Sequence, residues 1–136
     1  YVNLQGQTFV FVTATEFLMG TLPSDPDHQS DEPQYRSHIG RRFAISSHEV
    51  TKAQFGRFHT ERQVPQVDVR PYVKTEDSPQ SGLTWYEAAE YCNWLSEREG
   101  ISPGERCYIP NDAGEYGPGM RLAERYLSVE GFLPVE

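Results

Sequence analysis

Gly82-Leu-Thr-Trp-Tyr-Glu-Ala-Ala-Glu-Tyr-Cys-Asn-Trp-Leu95 is the most informative stretch of this 136-residue chain. Thr84 with Glu87 three positions on is the signature of a capping box, in which each residue's side chain satisfies the other's backbone N–H at a helix start. Trp85, Ala88, Ala89, Cys92 and Leu95 then recur at helical spacing and form one apolar stripe. Glu90, Glu97 and Arg98 lie off it. Gly100 supplies the left-handed residue on which helices commonly stop. The spacing predicts a helix from about Trp85 to Glu99, with Trp85 and Cys92 facing a core. On that reading Trp85→Ala costs about 3–5 kcal/mol and Thr84→Ala about 1 kcal/mol.

A second start signal lies upstream. Thr51 and Gln54 form another capping box, and Val50 and Phe55 have the spacing of a hydrophobic staple around it. A short helix from about Lys52 to Thr60 follows, with Phe55 and Phe58 on one inward face. Between the helices, residues 63–80 hold Pro65, Pro71 and Pro79 among Val64, Val67, Val69 and Val73, which reads as extended chain packed on something. Nearer the start, Thr8-Phe-Val-Phe-Val-Thr13 is β-branched and aromatic and predicts a strand. A second strand is expected at Phe17-Leu-Met19, joined to the first by a turn at Ala14–Glu16. Residues 21–38, with Pro23, Pro26 and Pro33 among acids, read as a solvated loop. Phe43-Ala-Ile45 reads as a strand, as does Cys107-Tyr-Ile-Pro110. Asn111–Gly119 is turn-rich. Leu122, Ala123, Tyr126 and Leu127 again have helical spacing, predicting a helix from about Met120 to Glu130. An apolar run, Phe132-Leu-Pro-Val135, follows. No internal repeat is visible.

Composition bounds the function. The chain has 12 Lys+Arg against 20 Asp+Glu, a net charge of -8. Nucleic-acid binding needs clustered Lys and Arg, and the densest basic pair here is Arg41-Arg42. Mean hydropathy is -0.65, and no apolar run approaches the roughly 18 residues of a membrane span. No signal peptide or targeting segment opens the chain, whose first residue is Tyr1. With Gly counted and Tyr left out, the apolar share is about 39%, against roughly 45–50% in globular domains. The 10 Pro and 11 Gly point to much loop. The 12% aromatic content points to an aromatic core.

Chemistry-bearing motifs are sparse. Cys92 and Cys107 stand 15 residues apart, without a CxxC or a nearby His pair. Half-buried thiols are the plain reading, with one structural disulfide, or a cysteine acting as metal ligand or nucleophile, as the alternatives. His28, His38, His48 and His59 show no metal-ligand spacing. Asp25, Asp27, Asp31 and Glu32 cluster around the prolines but lack the mid-loop Gly and closing Glu of an EF-hand. Gly117-Pro-Gly119 is too short for a phosphate loop. These patterns reach a loop-rich α+β domain and argue no active site.

Four segments, in order and spacing, resemble the formylglycine-generating, sulfatase-modifying-factor family. Phe17-Leu-Met-Gly20 resembles its "FxMG" opening and Asp31-Glu-Pro33 its acidic-proline loop. Phe43-Ala-Ile45 with His48-Glu-Val-Thr-Lys-Ala-Gln-Phe55 looks like its "F.I...EVTNAQF" stretch. Residues 82–95 look like its "VSWxDAxxYCxWL" helix. The match covers roughly Phe9 to Leu95. Residues 105–136, with Cys107-Tyr108 and Gly119-Met-Arg-Leu-Ala123, look like an insertion variant that precedes the family's "GYRLPTEAEWE" signature. Gly131-Phe-Leu-Pro134 matches that signature only in part.

The resemblance implies an α+β, C-type-lectin-like fold, loop-rich and incomplete in this chain, with residues 1–136 as the N-terminal portion of one domain. Catalytic members oxidise a sulfatase cysteine to formylglycine with copper and molecular oxygen. Their copper cysteines lie in a C-terminal half for which no matching sequence is present. Cys92 matches a structural helix cysteine of the family. No catalytic, cofactor-binding or metal-binding position is therefore carried onto any residue, and no cofactor is expected in this chain itself. Half a lectin-like domain leaves sheet edges and apolar faces exposed. Those faces call for a protein partner, the remainder of a longer chain, or a closing strand made by Phe132–Val135. The expected role is a non-catalytic binding or scaffold module docked to other chains. The alternative is the N-terminal part of a copper-dependent formylglycine-generating oxidase.

Overall fold

Both capping boxes close in the computed structural model, which describes residues 1–13, 15–64, 75–127 and 131–132. Helix α1 spans Lys52–Arg62 and helix α2 spans Trp85–Arg98. At α1 the Thr51 N–H donates to Gln54 Oε1 at 3.0 Å, and the Gln54 N–H donates back to Thr51 Oγ1 at 3.3 Å. At α2 the Thr84 N–H donates to Glu87 Oε2 at 2.7 Å, and the Glu87 N–H returns to Thr84 Oγ1 at 3.2 Å. Each box satisfies donors that a helix start otherwise leaves unmade. Gly100, at φ 75°, ends α2. Its N–H reaches Glu97 O and the Ile101 N–H reaches Ser96 O, the paired bonds of a Schellman stop. Helix α1 runs two residues past the expected end. It stops on Gln63, held at φ 56° with its N–H on His59 O, and Gln carries no stop signal in sequence.

The chain divides into two units. The first is Tyr1 with Phe9–Ser47; the second is Val2–Thr8 with His48–Glu136. In the first unit, strands β1 (Phe9–Val12) and β4 (Phe43–Ser46) pair antiparallel. Strands β2 (Thr15–Met19) and β3 (Tyr35–Ile39) do likewise. The expected β1–β2 hairpin is therefore not formed. Its two strands are consecutive lengths of one arm, and the returning arm is β3 and β4. Val12 lies opposite Phe43 but Thr15 lies opposite Ile39, so the register slips by one residue between the ladders. An extra residue on one arm is the mark of a β-bulge, and Gly40 stands in that interval. The loop expected over 21–38 is correspondingly shorter, because Tyr35–Ile39 is recruited as a strand by β2. Polar residues such as Arg36 and His38 hide this strand from a pattern reading. Both are exposed, as an antiparallel pair with one face in water allows.

The second unit is built around α2. On one side Tyr91, Trp94 and Leu95 pack with Phe55 and Phe58 of α1, joined by Val50, Val64, Leu83 and Phe132. Val50 thus meets the cluster of Phe55, as the staple spacing predicts. The rings interlock: Phe55 stacks on Tyr91 at 4.7 Å, and Phe58 meets Trp94 edge-on at 5.8 Å. On the other side Ala89 and Cys92 pack with Cys107 and Tyr108. The last two lead into a short strand pair, β5 (Tyr108–Ile109) with β6 (Arg121–Leu122).

This two-sided packing corrects the single-stripe reading of α2. Residues 91–96 are buried without a break, whereas Trp85 is 43% exposed. Trp85 is the first helical residue and meets the ring of Tyr108 edge-on at 5.6 Å; the Trp of the core is Trp94. The predicted helix at Met120–Glu130 is also absent from its described part. Arg121 and Leu122 pair with β5, the Ala123 N–H donates to Cys107 O, and Tyr126 turns back on Ala123 O. No capping residue precedes Met120; Gly119 stands there at φ 90°. Tertiary pairing therefore overrides the helical spacing. Residues 67, 69, 73 and 133–135 lie outside the described residues.

Candidate functional site

The titratable residues singled out by sequence do not converge. Among the described residues no three His, Cys, Asp or Glu side chains come together as a metal site. Asp25, Asp27, Asp31 and Glu32 are exposed. Asp25 caps its own turn through the Asp27 N–H, and Glu32 accepts from the Thr21 hydroxyl. His28 Nδ1 lies 2.7 Å from that same hydroxyl. His38 and His48 are exposed.

Cys92 and Cys107 are both free and buried. Burial pushes the Cys107 thiol up to about 11, and raises Cys92 further, with the neighbouring Cys107 adding to the effect. Copper-binding cysteines must be thiolates reachable by the metal. These two are protonated thiols walled in by Ala89 and Tyr108, so they do not fit the copper that catalytic members of the resembled family hold.

His59 was missed as a core residue by a search for ligand spacings. It is only 6% exposed, and its ring lies 4.8 Å from Phe55 and 5.6 Å from Phe58. Its Nε2 has no hydrogen-bond partner among the described residues. Burial lowers its pKa from the usual 6.5, and the Glu87 charge opposes the shift. The unfolded chain therefore binds this proton at higher pH than the folded chain does. The contribution of His59 to stability is greatest above about 6.5, where both states are neutral, and declines as pH falls below it. Thermal midpoints measured from pH 7.5 to 5.5 should fall in the wild type. His59→Phe should flatten that decline; an unchanged slope would remove the imidazole from the account.

The feature that stands out is the β1–β4 ribbon with its extension β2–β3. Cross-strand partners share a face. Phe9 and Phe11 lie on one face, and the Tyr1 ring packs on both, at 5.3 and 5.7 Å. Val10 and Ile45 lie opposite each other on the other face. Phe11 is 69% exposed, and Leu18 is 58% exposed. Val10, Phe17, Met19, Leu22, Tyr35 and Ile45 are exposed as well. A run of exposed apolar strand residues of this extent marks an interaction surface or an association hazard. Charged groups are few here: Arg36 pairs with Glu16 at 3.1 Å, and Arg41 lies over the Phe43 ring.

The sequence matches the family model of the sulfatase-modifying factor enzyme 1-like domain over residues 2–125. Among solved structures it is similar to PvdO from Pseudomonas aeruginosa, with a TM-score of 0.62 and 23% identity. The similarity covers 79% of this chain and 44% of the PvdO chain, so the present sequence spans less than half of that structure's length. A search of curated proteins finds no match.

Proposed function

The chain belongs to the family of sulfatase-modifying factor enzyme 1-like domains, and from that premise we propose that it is a non-catalytic, lectin-like binding or scaffold module. It works docked to a second polypeptide or to the remainder of a longer one. The observation that carries this reading is the exposed apolar ribbon of Phe9–Met19 and Tyr35–Ser46. Strand side chains such as Phe11, at 69% exposure, gain about 25 cal/mol per Å² when another surface covers them.

The test has two arms. First, a polypeptide comprising the C-terminal half of a sulfatase-modifying-factor domain is titrated against the chain. Binding is expected, and Phe11→Ser with Leu18→Ser should weaken it tenfold or more. Equal affinity for the double variant would sink the docking role. Second, the chain alone, with copper and oxygen, should leave a sulfatase cysteine peptide unconverted. Formylglycine formation by the chain alone would overturn the non-catalytic role.

A second reading has its own support. The chain spans 44% of the PvdO structure, which suits the N-terminal part of a copper-dependent formylglycine-generating oxidase. Intact mass of the native protein tests this second reading. A native species of 15.6 kDa with no partner rejects the oxidase reading.

A further inference from the structure

We propose that Cys92 and Cys107 are a dithiol–disulfide pair, a modification site whose oxidation cross-links helix α2 to the entry of strand β5. The sequence places them 15 residues apart, and three features of the fold bring them together. Both belong to one buried cluster of four residues, completed by Ala89 and Tyr108. The residues that follow them are clipped to each other: Asn93 Nδ2 donates to Tyr108 O at 2.7 Å, and the Tyr108 N–H donates to Asn93 Oδ1 at 3.3 Å. Two bonds between one side chain and one backbone unit fix the register of α2 against β5, and with it that of the preceding cysteines. Third, among the described residues the polar contact of the Cys107 sulfur is a weak one, 3.9 Å from Tyr126 O. No strong bond has to break for it to turn.

Charge on Cys107 is among the causes that raise the Cys92 thiol. Ala89, one turn before Cys92, is the small residue that leaves room between the helix and β5.

The oxidant is a low-molecular-weight disulfide. Cys107 loses its proton and its thiolate attacks one sulfur of the reagent. A Cys107 mixed disulfide forms, and one reagent thiolate leaves and takes up that proton. Cys92 then loses its proton and attacks the Cys107 sulfur. The Cys92–Cys107 bond forms and the second reagent thiol departs. Two electrons pass from the protein pair to the reagent, whose disulfide becomes two thiols. Cys107 goes first because its thiol is the less strongly raised of the two. Both thiols are buried, so exchange awaits local opening and is slow, faster at alkaline pH.

The whole chain is equilibrated in glutathione buffers from fully reduced to fully oxidised, quenched in acid and alkylated. Trypsin cuts after Arg98 and Arg106 and so separates the two cysteines unless they are bonded. The expected result is a linked peptide pair that accumulates with oxidation, a mass lower by two hydrogens, and a raised thermal midpoint. Cys92→Ser should remove the link and leave glutathione on Cys107. If that variant fails to fold, the wild-type peptide map still decides. Two alkylated thiols in every buffer, a glutathione adduct without the link in the wild type, or a link only between separate molecules would each overturn the proposal.

Discussion

Trp94→Ala should destabilise the second unit by about 3–5 kcal/mol, the cost of removing a fully enclosed aromatic ring. Trp94 is 1% exposed and touches the rings of Phe58 and Tyr91 at 5.8 and 5.6 Å. Its loss leaves a cavity bounded by two helices whose capping boxes and Schellman stop hold them in place, so collapse around it is limited. The neighbouring helix seam does not compensate. Its ion pairs, Arg62–Glu97 at 2.8 Å and Arg98–Glu61 at 2.9 Å, have side chains 34–41% exposed, and pairs so open to solvent contribute little each. Trp85→Ala should cost only about 1 kcal/mol, because that ring keeps much of its surface in water. Urea midpoints of the two variants measure the contrast. Equal losses would place both rings in the core and restore the single-stripe reading of α2.

Gly20→Ala should cost on the order of 3 kcal/mol and open the tip of the ribbon. Gly20 has φ 89°, a region in which alanine is strained, and an added Cβ would lie 2.5 Å from Pro33 O and 2.9 Å from Pro33 C. Both are backbone atoms and cannot swing aside as a side chain can. The same contact holds the Thr21 N–H on Glu32 O at 3.2 Å, so displacing Pro33 breaks the bond that closes the loop. Gly6→Ala is the control. Its φ is 76°, with nothing within 4 Å of the added atom, so it carries the dihedral strain alone, about 1 kcal/mol. Hydrogen exchange at Thr21 should quicken in Gly20→Ala and stay slow in Gly6→Ala. Equal effects of the two substitutions would show that the close approach to Pro33 contributes nothing.

The strands of the candidate interaction surface were legible in composition. Thr8–Thr13 and Phe17–Met19 read as strands because their side chains are β-branched or aromatic, and they are strands. Their exposure was expected only from the resemblance, since a pattern of apolar residues cannot say what covers them. Cys92 and Cys107, read as half-buried thiols, are free and buried. Their common cluster was not legible, because it depends on the Asn93 clip across 15 residues of sequence.

Local chemistry by itself determined where the two helices begin and where α2 ends. A capping box, a staple and a Gly stop act within a few residues and need no partner. The tertiary structure alone decided three other things. β1 pairs with β4 and leaves the expected hairpin unformed. Arg121–Leu122 is drawn into a strand by Tyr108–Ile109 in place of a helical turn. Trp94 takes the core position that the α2 stripe gave to Trp85. Each is a choice between local arrangements of similar energy, settled by long-range burial and backbone pairing that a window of sequence does not contain.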